Sequence, residues 1–313
     1  MTLPTRTIGD LQVSAVGLGC MPLSFDGMLD ERERAIATIH RALDLGITML
    51  DTANIYSPSW DTVGHNEALV AEAVRTYSGP VDLTHLLVTT KGGITRGEGE
   101  SWGRDSHVDA LARAAEDSLN QLGASVIELY QHHRTDPSMT YVDQVQSLRG
   151  LREAGLIRRI GLSNVERAEL DIALDLLGGP SDGGVVSVQN EYSPRYRRDA
   201  DVLDRCDELG IAFLPWSPLG GADLAHEIGS HCAAFAEIGI EIGATAHETI
   251  LAWLLALSPS VIPIPGATRP LTVDSIVRAL TLELTPGQVE RLSATVPADE
   301  SKYPDDQPRS RLR

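Results

Sequence analysis

Several side chains that could move a proton stand just after short apolar segments of the chain. Asp51 ends the segment ITMLD, Tyr56 follows five residues later, Lys91 follows LLVTT, and His132 and His133 follow IELYQ. A phenol has an ordinary pKa of about 10, and a nearby ammonium favours its ionised form. A carboxylate would hold that ammonium in place, and a neutral histidine could donate a hydrogen bond to a substrate oxygen. Such a set predicts a proton donor for a developing alkoxide.

A recurring alternation of strands and helices must position these groups. A small hairpin is predicted over Thr5–Val13, and eight short apolar strands then alternate with about eight helices. The strands are predicted over 16–20, 47–51, 86–90, 127–131, 159–162, 185–189, 211–215 and 261–264. Runs of βα units form parallel sheets, and eight of them fit a closed barrel. The predicted fold is therefore an α/β (β/α)₈ TIM barrel with an N-terminal β-hairpin.

The alternation runs without a boundary. No linker rich in proline, glycine or serine interrupts it, so we expect a single domain over residues 1–313 with a polar tail over 297–313. The rival fold is a doubly wound sheet, whose dinucleotide fingerprint should follow the first strand. Gly17 and Gly19 are there, but Pro22 stands where the third glycine belongs. This favours the barrel.

Composition excludes several classes of protein. Of 313 residues, 42% are hydrophobic and 22% are charged, which excludes a disordered chain. The net charge is −18, and no run of five basic residues relieves it. Such a surface repels nucleic acid and anionic lipid, so neither is an expected partner. A phosphate-bearing ligand would need a local positive pocket.

Cysteine usage and hydropathy indicate the compartment. Cys20, Cys206 and Cys232 form neither a CxxC pair nor a metal-ligand spacing, and an odd, low count suits a reducing compartment. Residues 1–10 lack the apolar run of a signal peptide, and the longest apolar stretch, near 250–257, is too short to cross a bilayer. A soluble cytoplasmic protein without a metal site is expected.

Function in such a barrel lies at the carboxyl ends of the strands. The residues expected there are chemically varied: Gly19, Cys20, Met21, Asp51, Thr52, Ala53, Asn54, Lys91, His132, His133, Ser163, Asn164, Gln189, Asn190, Trp216, Ser217, Pro265 and Gly266. Tyr56 lies in the loop after the second strand, so side chains from several strand ends can converge with it on one point.

These segments resemble the aldo-keto reductases over about residues 5–297. The matching segments are LDTANIY (50–56), TTKGG (89–93), IELYQHHRTDP (127–137), GLSN (161–164), VQNEYS (188–193), PWSPLGG (215–221) and IPIPGATRP (262–270). Their order and spacing are similar to the branch that also contains voltage-gated potassium channel β subunits. The resemblance implies reduction of a small-molecule carbonyl, or oxidation of its alcohol, by hydride transfer with a nicotinamide cofactor.

The resemblance also implies catalytic roles. Tyr56 would be the general acid, Lys91 the neighbour that lowers its pKa, and Asp51 the ion partner of Lys91. A fall of about two to three in a phenol pKa corresponds to roughly 3–4 kcal/mol. The family pattern places its histidine before Arg, which matches His133, and successive residues of a strand face opposite sides. We therefore expect His133 to orient the carbonyl and His132 to lie outside the pocket.

Cofactor contacts follow from the same resemblance. Ser163, Asn164 and Gln189 would hold the nicotinamide carboxamide, and Trp216 stands where most relatives have a tyrosine that stacks on the ring. The remaining cofactor residues that it implies are Gly19, Cys20, Met21, Ser217, Leu219, Gly220, Gly266, Thr268 and Arg269. Small residues and backbone N–H groups in the loop after Trp216 would let a pyrophosphate approach.

The segment that would hold the adenosine departs from the family pattern. Relatives commonly have Glu-Asn where this chain has Ser275 and Ile276, and Arg or Gln where it has Thr272. A preference for NADPH/NADP⁺ therefore depends mainly on Arg269, which could bind a phosphate with two hydrogen bonds. Use of NAD(H) is the alternative. Residues 221–244 carry no Lys or Arg, which predicts a weaker clamp over the cofactor.

Three aromatic residues are candidates for the substrate pocket. Trp60 and Trp102 follow the second and third strands and are expected to form an apolar wall, with ordinary loop anchoring as the alternative. The tail is expected to be mobile or to lie over the barrel rim, where Tyr303 could reach the pocket.

Two other functions remain open at this stage. A nucleotide-sensing subunit with slow turnover would resemble the channel β subunits. A barrel hydrolase or lyase could use Asp51 and His133, but it would leave Lys91 and Tyr56 without a role. The oligomeric state cannot be read from the sequence.

Overall fold

A computed structural model describes residues 3–25, 27–221 and 228–303 of the chain. An antiparallel hairpin of β1 (Thr5–Ile8) and β2 (Leu11–Ser14) opens the fold, as predicted. Ile8 and Val13 are buried against the inward-facing side chains of the barrel strands, among them Val186. The hairpin therefore plugs the end of the barrel opposite the predicted site, which lies at the carboxyl ends of the strands.

Seven parallel strands make up most of the barrel wall. They are β3 (Leu18–Gly19), β4 (Met49–Asp51), β5 (Leu87–Gly92), β8 (Ile127–His132), β9 (Ile157–Ser163), β10 (Val185–Gln189) and β11 (Ala212–Phe213). Their order in the sheet is the order of the chain, and each strand pairs in parallel with its neighbour.

The eighth segment closes the barrel between the two edge strands. Ile262 N donates to Phe213 O on one side over 2.8 Å, and Gly17 N donates to Pro263 O on the other over 2.9 Å. A β-carbon at Gly19 would lie 2.7 Å from Ile264 O, so the close approach there requires glycine. The α/β (β/α)₈ barrel with an N-terminal hairpin is confirmed.

Helices pack around the outside of this wall. They are α1 (Arg32–Asp44), α2 (His65–Thr76), α3 (Val108–Leu122), α4 (Tyr141–Glu153), α5 (Arg167–Leu177), α6 (Ala200–Leu209), α7 (Ile228–His231), α8 (Ala233–Ile242), α9 (Ala246–Leu257), α10 (Pro270–Ala279) and α11 (Pro286–Ser293). Their apolar faces and the outward faces of the strands form the main core. In the ranges described, no single helix is long and apolar enough to cross a membrane. The pair α8 and α9 meets that test only when taken together, and it is bent by 94°.

Several elements were not predicted. The helices α7 and α8 precede α9, the helix α11 follows the last predicted helix, and a second hairpin of β6 (Ile94–Gly97) and β7 (Ser101–Arg104) projects after β5. The segment ITRGEGESWGR lacks the regular apolar alternation by which strands are identified, because the hairpin stands at the rim of the barrel and not in its wall.

Candidate active site

Asp51 and Lys91 form a buried ion pair at the carboxyl ends of adjacent strands. Lys91 Nζ donates to Asp51 Oδ2 over 2.7 Å and to Thr52 O over 2.8 Å, and the Lys91 side chain is wholly buried. Burial by itself lowers the pKa of Lys91, but Asp51 and, after it, Tyr56 together more than compensate, and the pKa is raised. The ammonium is therefore held in its charged form.

The second oxygen of Asp51 is held by three further donors. Asp51 Oδ1 accepts from Thr89 Oγ1 at 2.9 Å, from Gln131 Nε2 at 3.1 Å and from Gln189 Nε2 at 2.8 Å. The carboxylate is thereby fixed in one orientation toward Lys91. Thr89 and Gln131 were missed in the sequence, where their inward-facing places on β5 and β8 were the only available signal.

Tyr56 reaches this ion pair from the loop after β4. Lys91 Nζ lies 3.3 Å from the Tyr56 hydroxyl and 4.9 Å from the centre of its ring. Burial raises the pKa of Tyr56, and the ammonium of Lys91 only partly opposes it. The expectation that the pKa of Tyr56 lies below its ordinary value is therefore wrong for this structure, because desolvation of the phenolate outweighs the attraction of Lys91.

His133 lies edge-on to Tyr56 at the end of β8. The two ring centres are 5.8 Å apart and the planes are at 85°. Burial, with Lys91 next in effect, holds the pKa of His133 well below its ordinary value. The imidazole is therefore neutral, with one N–H available as a donor.

His132 points to the other side of β8. Its Nε2 lies 2.8 Å from Ser106 Oγ, and its side chain is fully buried. Burial lowers the pKa of His132 to about 4. The two histidines are thus separated as the alternation of strand side chains predicts.

Ser163, Asn164 and Gln189, the three residues expected at a nicotinamide carboxamide, lie in one group of hydrogen bonds. Ser163 Oγ donates to Gln189 O over 2.8 Å, and Asn164 Nδ2 donates to His133 O over 3.0 Å. Asn164 takes a left-handed φ of 58°, which turns the chain at the end of β9. Its Oδ1 accepts from Trp216 Nε1 over 3.1 Å, so the indole is oriented by the same group of residues.

The tail segment (residues 299–303) lies over this side of the barrel mouth. The buried carboxylate of Glu191 accepts from Ser301 Oγ over 2.7 Å and from Lys302 N over 2.9 Å. The ring of Tyr303 lies 5.8 Å from that of Trp216 and 5.6 Å from the Arg134 guanidinium. Tyr303 thus lies beside Trp216, and its contact with a substrate stays a prediction. The rest of the predicted tail, 304–313, lies outside the described residues.

The loop after Trp216 forms a tight turn, and its contact with a pyrophosphate stays a prediction. Ser217, Gly220 and Gly221 all have positive φ, at 47°, 79° and 88°. Gly220 N donates to Ser217 O over 2.8 Å, which closes the turn. Leu219 is half-buried beside them. Residues 222–227 lie outside the described ranges, and α7 and α8 occupy the rest of the segment without Lys or Arg.

Arg269 stands at the start of α10. It is the N-cap residue of this ten-residue helix and is exposed. A cation beside a helix N-terminus, with half-buried Thr268 preceding it, forms a local positive site on an acidic protein. The contact of Thr268 and Arg269 with a dinucleotide phosphate stays a prediction.

The residues that replace the family's Glu-Asn pair belong to the structure of the helix. Ile276 is buried in the main core, and Ser275 Oγ donates to Glu248 Oε1 over 3.0 Å. Arg269 remains the candidate cation at the start of this helix.

At the end of β3, the side chain of Cys20 does not lie where the sequence analysis expected it. Gly19 pairs with Gly266 by a β-bridge, and Met21 is half-buried beside Tyr56. The Cys20 side chain is wholly buried in the main core, and its Sγ lies 3.6 Å from Leu18 O. In this structure Cys20 is a small core residue and not a residue that lines a pocket.

The two candidate pocket tryptophans stand on the rim. Trp60 lies in a 3₁₀ turn after Tyr56 and is 39% exposed, and Trp102 lies on β7 and is 58% exposed. An apolar wall for the substrate stays a prediction. Arg96 and Glu191, which hold segments of this rim, were missed in the sequence.

One group of side chains offers the geometry of metal ligands. Asp105, His107 and Asp136 bring potential ligand atoms within 4.8 Å of one another, and His107 Nδ1 lies 2.9 Å from Asp105 Oδ1. The expectation that the protein has no metal site therefore stays a prediction.

Comparison with known proteins places these observations in a family. The model of the aldo/keto reductase family matches residues 15–296. An uncharacterized oxidoreductase of Schizosaccharomyces pombe is 31% identical over 301 residues, which cover 95% of this chain and 92% of that protein. The pyridoxine 4-dehydrogenase of Escherichia coli is 30% identical over 279 residues, which cover 86% of this chain and 90% of that enzyme.

Solved structures show the same fold. An aldo-keto reductase of Bombyx mori in complex with NADP superposes with a TM-score of 0.78, at 21% identity, over 100% of this chain and 99% of that one. An aldo-keto reductase of Klebsiella pneumoniae in complex with NADPH superposes with a TM-score of 0.76, at 22% identity, with the same coverage.

Proposed function

Because the chain belongs to the aldo/keto reductase family, and is thus an oxidoreductase, we propose that it interconverts an aldehyde or ketone and its alcohol. Tyr56 is the general acid and base, His133 orients the carbonyl oxygen, and Lys91 and Asp51 set the environment of Tyr56. The observation that carries this assignment is the buried chain of contacts from Asp51 through Lys91 to Tyr56.

The residues of this site supply a proton to the carbonyl oxygen of the substrate. The hydride for the carbonyl carbon would come from a reduced nicotinamide, when one is bound. The neutral imidazole of His133 donates a hydrogen bond to the carbonyl oxygen, and the protonated phenol of Tyr56 gives that oxygen its proton. In the oxidative direction Tyr56 takes the proton back. The ammonium of Lys91 stabilises the phenolate left behind.

The arrangement supports NADP(H) as the cofactor. Ser163, Asn164 and Gln189 would hold the carboxamide, and Trp216 would stack on the ring. Ser217, Leu219 and Gly220 would receive the pyrophosphate, and Arg269 would bind the 2′-phosphate. Two family members of the same fold were crystallised with NADPH or NADP. NAD(H) is the alternative, because the replacements at Ser275 and Ile276 leave the adenosine with fewer polar partners.

The substrate class is a small carbonyl compound or alcohol. Trp60, Trp102 and Tyr303 stand around the mouth, so we infer that they contact the substrate.

The three cysteines are free and buried, which supports the reducing environment of the cytoplasm.

Nucleotide binding and turnover test this function together. We expect quenching of tryptophan fluorescence on titration with NADPH and NADP⁺, since Trp216 would contact the nicotinamide, and tighter binding than for NADH and NAD⁺. With 4-nitrobenzaldehyde as the probe substrate, Tyr56→Phe should lower kcat by about 10²–10⁴-fold and leave NADPH binding intact. The matched control is Tyr77→Phe, since Tyr77 donates to Asp44 on the surface. Failure to bind any of the four nucleotides would exclude the assignment, and full turnover by Tyr56→Phe would remove Tyr56 from its role.

A further inference from the structure

Arg96 lies beside the catalytic group and was not identified from the sequence. It is on β6 of the rim hairpin, and its side chain is only 7% exposed. In the hairpin register Arg96 faces Trp102, and its guanidinium lies 4.9 Å from the centre of the indole. Ile94, two residues earlier, packs against the small apolar cluster that contains Tyr56. The hairpin therefore touches the catalytic loop at two places.

The guanidinium donates to the chain directly after Tyr56. Arg96 Nη1 donates to Ser57 O over 2.6 Å and to Ser57 Oγ over 2.9 Å, and Nη2 donates to Pro58 O over 3.1 Å. Ser57 is wholly buried, so its carbonyl would otherwise be left without a partner at a cost. Three of the five guanidinium donors thus fix the two residues that follow Tyr56.

A fourth donor continues the contact to the next residues of the same loop. Arg96 Nε donates to Glu100 Oε2 over 2.6 Å, and Glu100 Oε1 accepts from Trp60 N over 3.1 Å. The post-tyrosine segment (residues 57–60) is therefore tied to the hairpin at Ser57, Pro58 and Trp60. The ion pair between Arg96 and Glu100 makes all three of these contacts.

The geometry points to Arg96 as a positioning residue for the reaction, acting through the post-tyrosine segment on the hydroxyl of Tyr56. This inference rests on the proposed role of Tyr56. The Lys91–Tyr56 distance of 3.3 Å is at the long end for a hydrogen bond, so a small movement of the loop would break it. A displacement of about 1 Å at a reacting group can cost about 10²-fold in rate.

Lysine cannot replace arginine in this arrangement. A guanidinium presents five donors in a rigid plane, whereas an ammonium presents three from a single atom. The carbonyls of Ser57 and Pro58 and the carboxylate of Glu100 lie on different edges of that plane. Arg96→Lys therefore keeps the charge beside Glu100 and loses the simultaneous hold on the post-tyrosine segment.

The test measures loop order and turnover on the same variants. In Arg96→Lys we expect faster amide hydrogen exchange in residues 57–62 with no change in 163–165. We also expect kcat with NADPH and 4-nitrobenzaldehyde to fall about 10–100-fold, while the Kd for NADPH stays within about twofold. Guanidinium ion added to Arg96→Ala should restore part of kcat. The control is Arg158→Ala, because Arg158 pairs with Glu128 on the side of the barrel away from the site.

Each outcome decides a separate point. If exchange in 57–62 rises and kcat is unchanged, Arg96 is a purely structural residue and the inference is overturned. If kcat falls without a change in that exchange, the proposed route through the loop is wrong. Tyr56→Phe measured alongside separates the two proposals, because full turnover by that variant would remove the role of Tyr56 itself, whereas a loss there with an unaffected Arg96→Lys would remove only the role of Arg96.

Discussion

Gln189 donates from Nε2 to Oδ1 of Asp51 over 2.8 Å, at the centre of the barrel mouth. The residue that sequence resemblance assigns to the cofactor is therefore bonded to the carboxylate that pairs with Lys91. Gln189 also donates to Gln131 Oε1 over 3.2 Å, and Gln131 itself donates to Asp51. The proposed cofactor contacts and the proposed acid–base group thus share one set of hydrogen bonds.

Removal of one member of the ion pair should be more harmful to stability than removal of both. Lys91→Met leaves the Asp51 carboxylate buried without its cation, so we expect a loss of about 3–5 kcal/mol in the free energy of unfolding. Asp51→Asn combined with Lys91→Met should recover most of it, since no lone buried charge remains. Urea unfolding measures both values. A double variant as unstable as Lys91→Met would contradict this, and neither variant should regain turnover.

The pH dependence of reduction should lack an acid limb near the ordinary histidine range. His133 has a lowered pKa and is already neutral there, and Tyr56 has a raised pKa and keeps its proton. We expect kcat/KM for the aldehyde to stay level through neutral pH and to fall only above about 10, where a phenol loses its proton. Residual turnover of Tyr56→Phe should lack that fall. A loss of activity centred near pH 6.5 would show that a protonated histidine interferes, contrary to the assignment.

Stability should fall as the pH is lowered, partly because of His132. Its pKa is 6.5 in the unfolded chain and about 4 in the fold, so the unfolded state binds the proton first. Between these values stability rises with pH, and the full contribution of His132 is about 3 kcal/mol. Between pH 7 and pH 4, the free energy of unfolding should change less with pH for His132→Gln than for the parent protein. Equal slopes for His132→Gln and the parent protein would refute this role of His132.

Specificity for the phosphorylated cofactor should depend on Arg269. Loss of hydrogen bonds between a guanidinium and a phosphate costs about 1.5–3 kcal/mol, so Arg269→Ala should raise the Kd for NADPH about 10–100-fold. The Kd for NADH should not change. Arg291→Ala on α11 is a matched control, because Arg291 pairs with acidic residues of α8 on the surface. An equal loss for both nucleotides would place Arg269 away from the 2′-phosphate.

Much of this architecture could be predicted from the sequence, because its signals are local. The strands are short apolar runs, and the segments LDTANIY, TTKGG and IELYQHHR place Asp51, Tyr56, Lys91 and His133 at their ends. The structure brings those four side chains together. What spacing cannot show is how completely the site is closed to water, and for that reason the direction of the shift in the pKa of Tyr56 was wrongly predicted.

The unpredicted parts depend on contacts between distant segments. Arg96 and Glu100 are polar residues of a rim hairpin, and their importance comes from the carbonyls of Ser57 and Pro58 some forty positions away. Glu191 likewise holds Ser301 from more than a hundred positions away. Cys20 was expected at a pocket because it ends a strand, but its side chain faces the core. Strand position alone does not settle which way a residue at a strand end turns.

The closing segment of the barrel has a further consequence for assembly of the sheet. Pro263 and Pro265 have no N–H, so along the edge that faces β3 this segment accepts hydrogen bonds from Gly17 and Gly19 and donates none at either proline. Along its other edge, the N–H groups of Ile262 and Ile264 donate to carbonyls of β11 and of the residues just after β11. An edge that lacks amide donors at alternate residues is a poor template for a strand of another molecule. The prolines therefore limit this edge to one kind of partner: in the closed barrel it is covered by Gly17 and Gly19 at β3, which supply the amide donors.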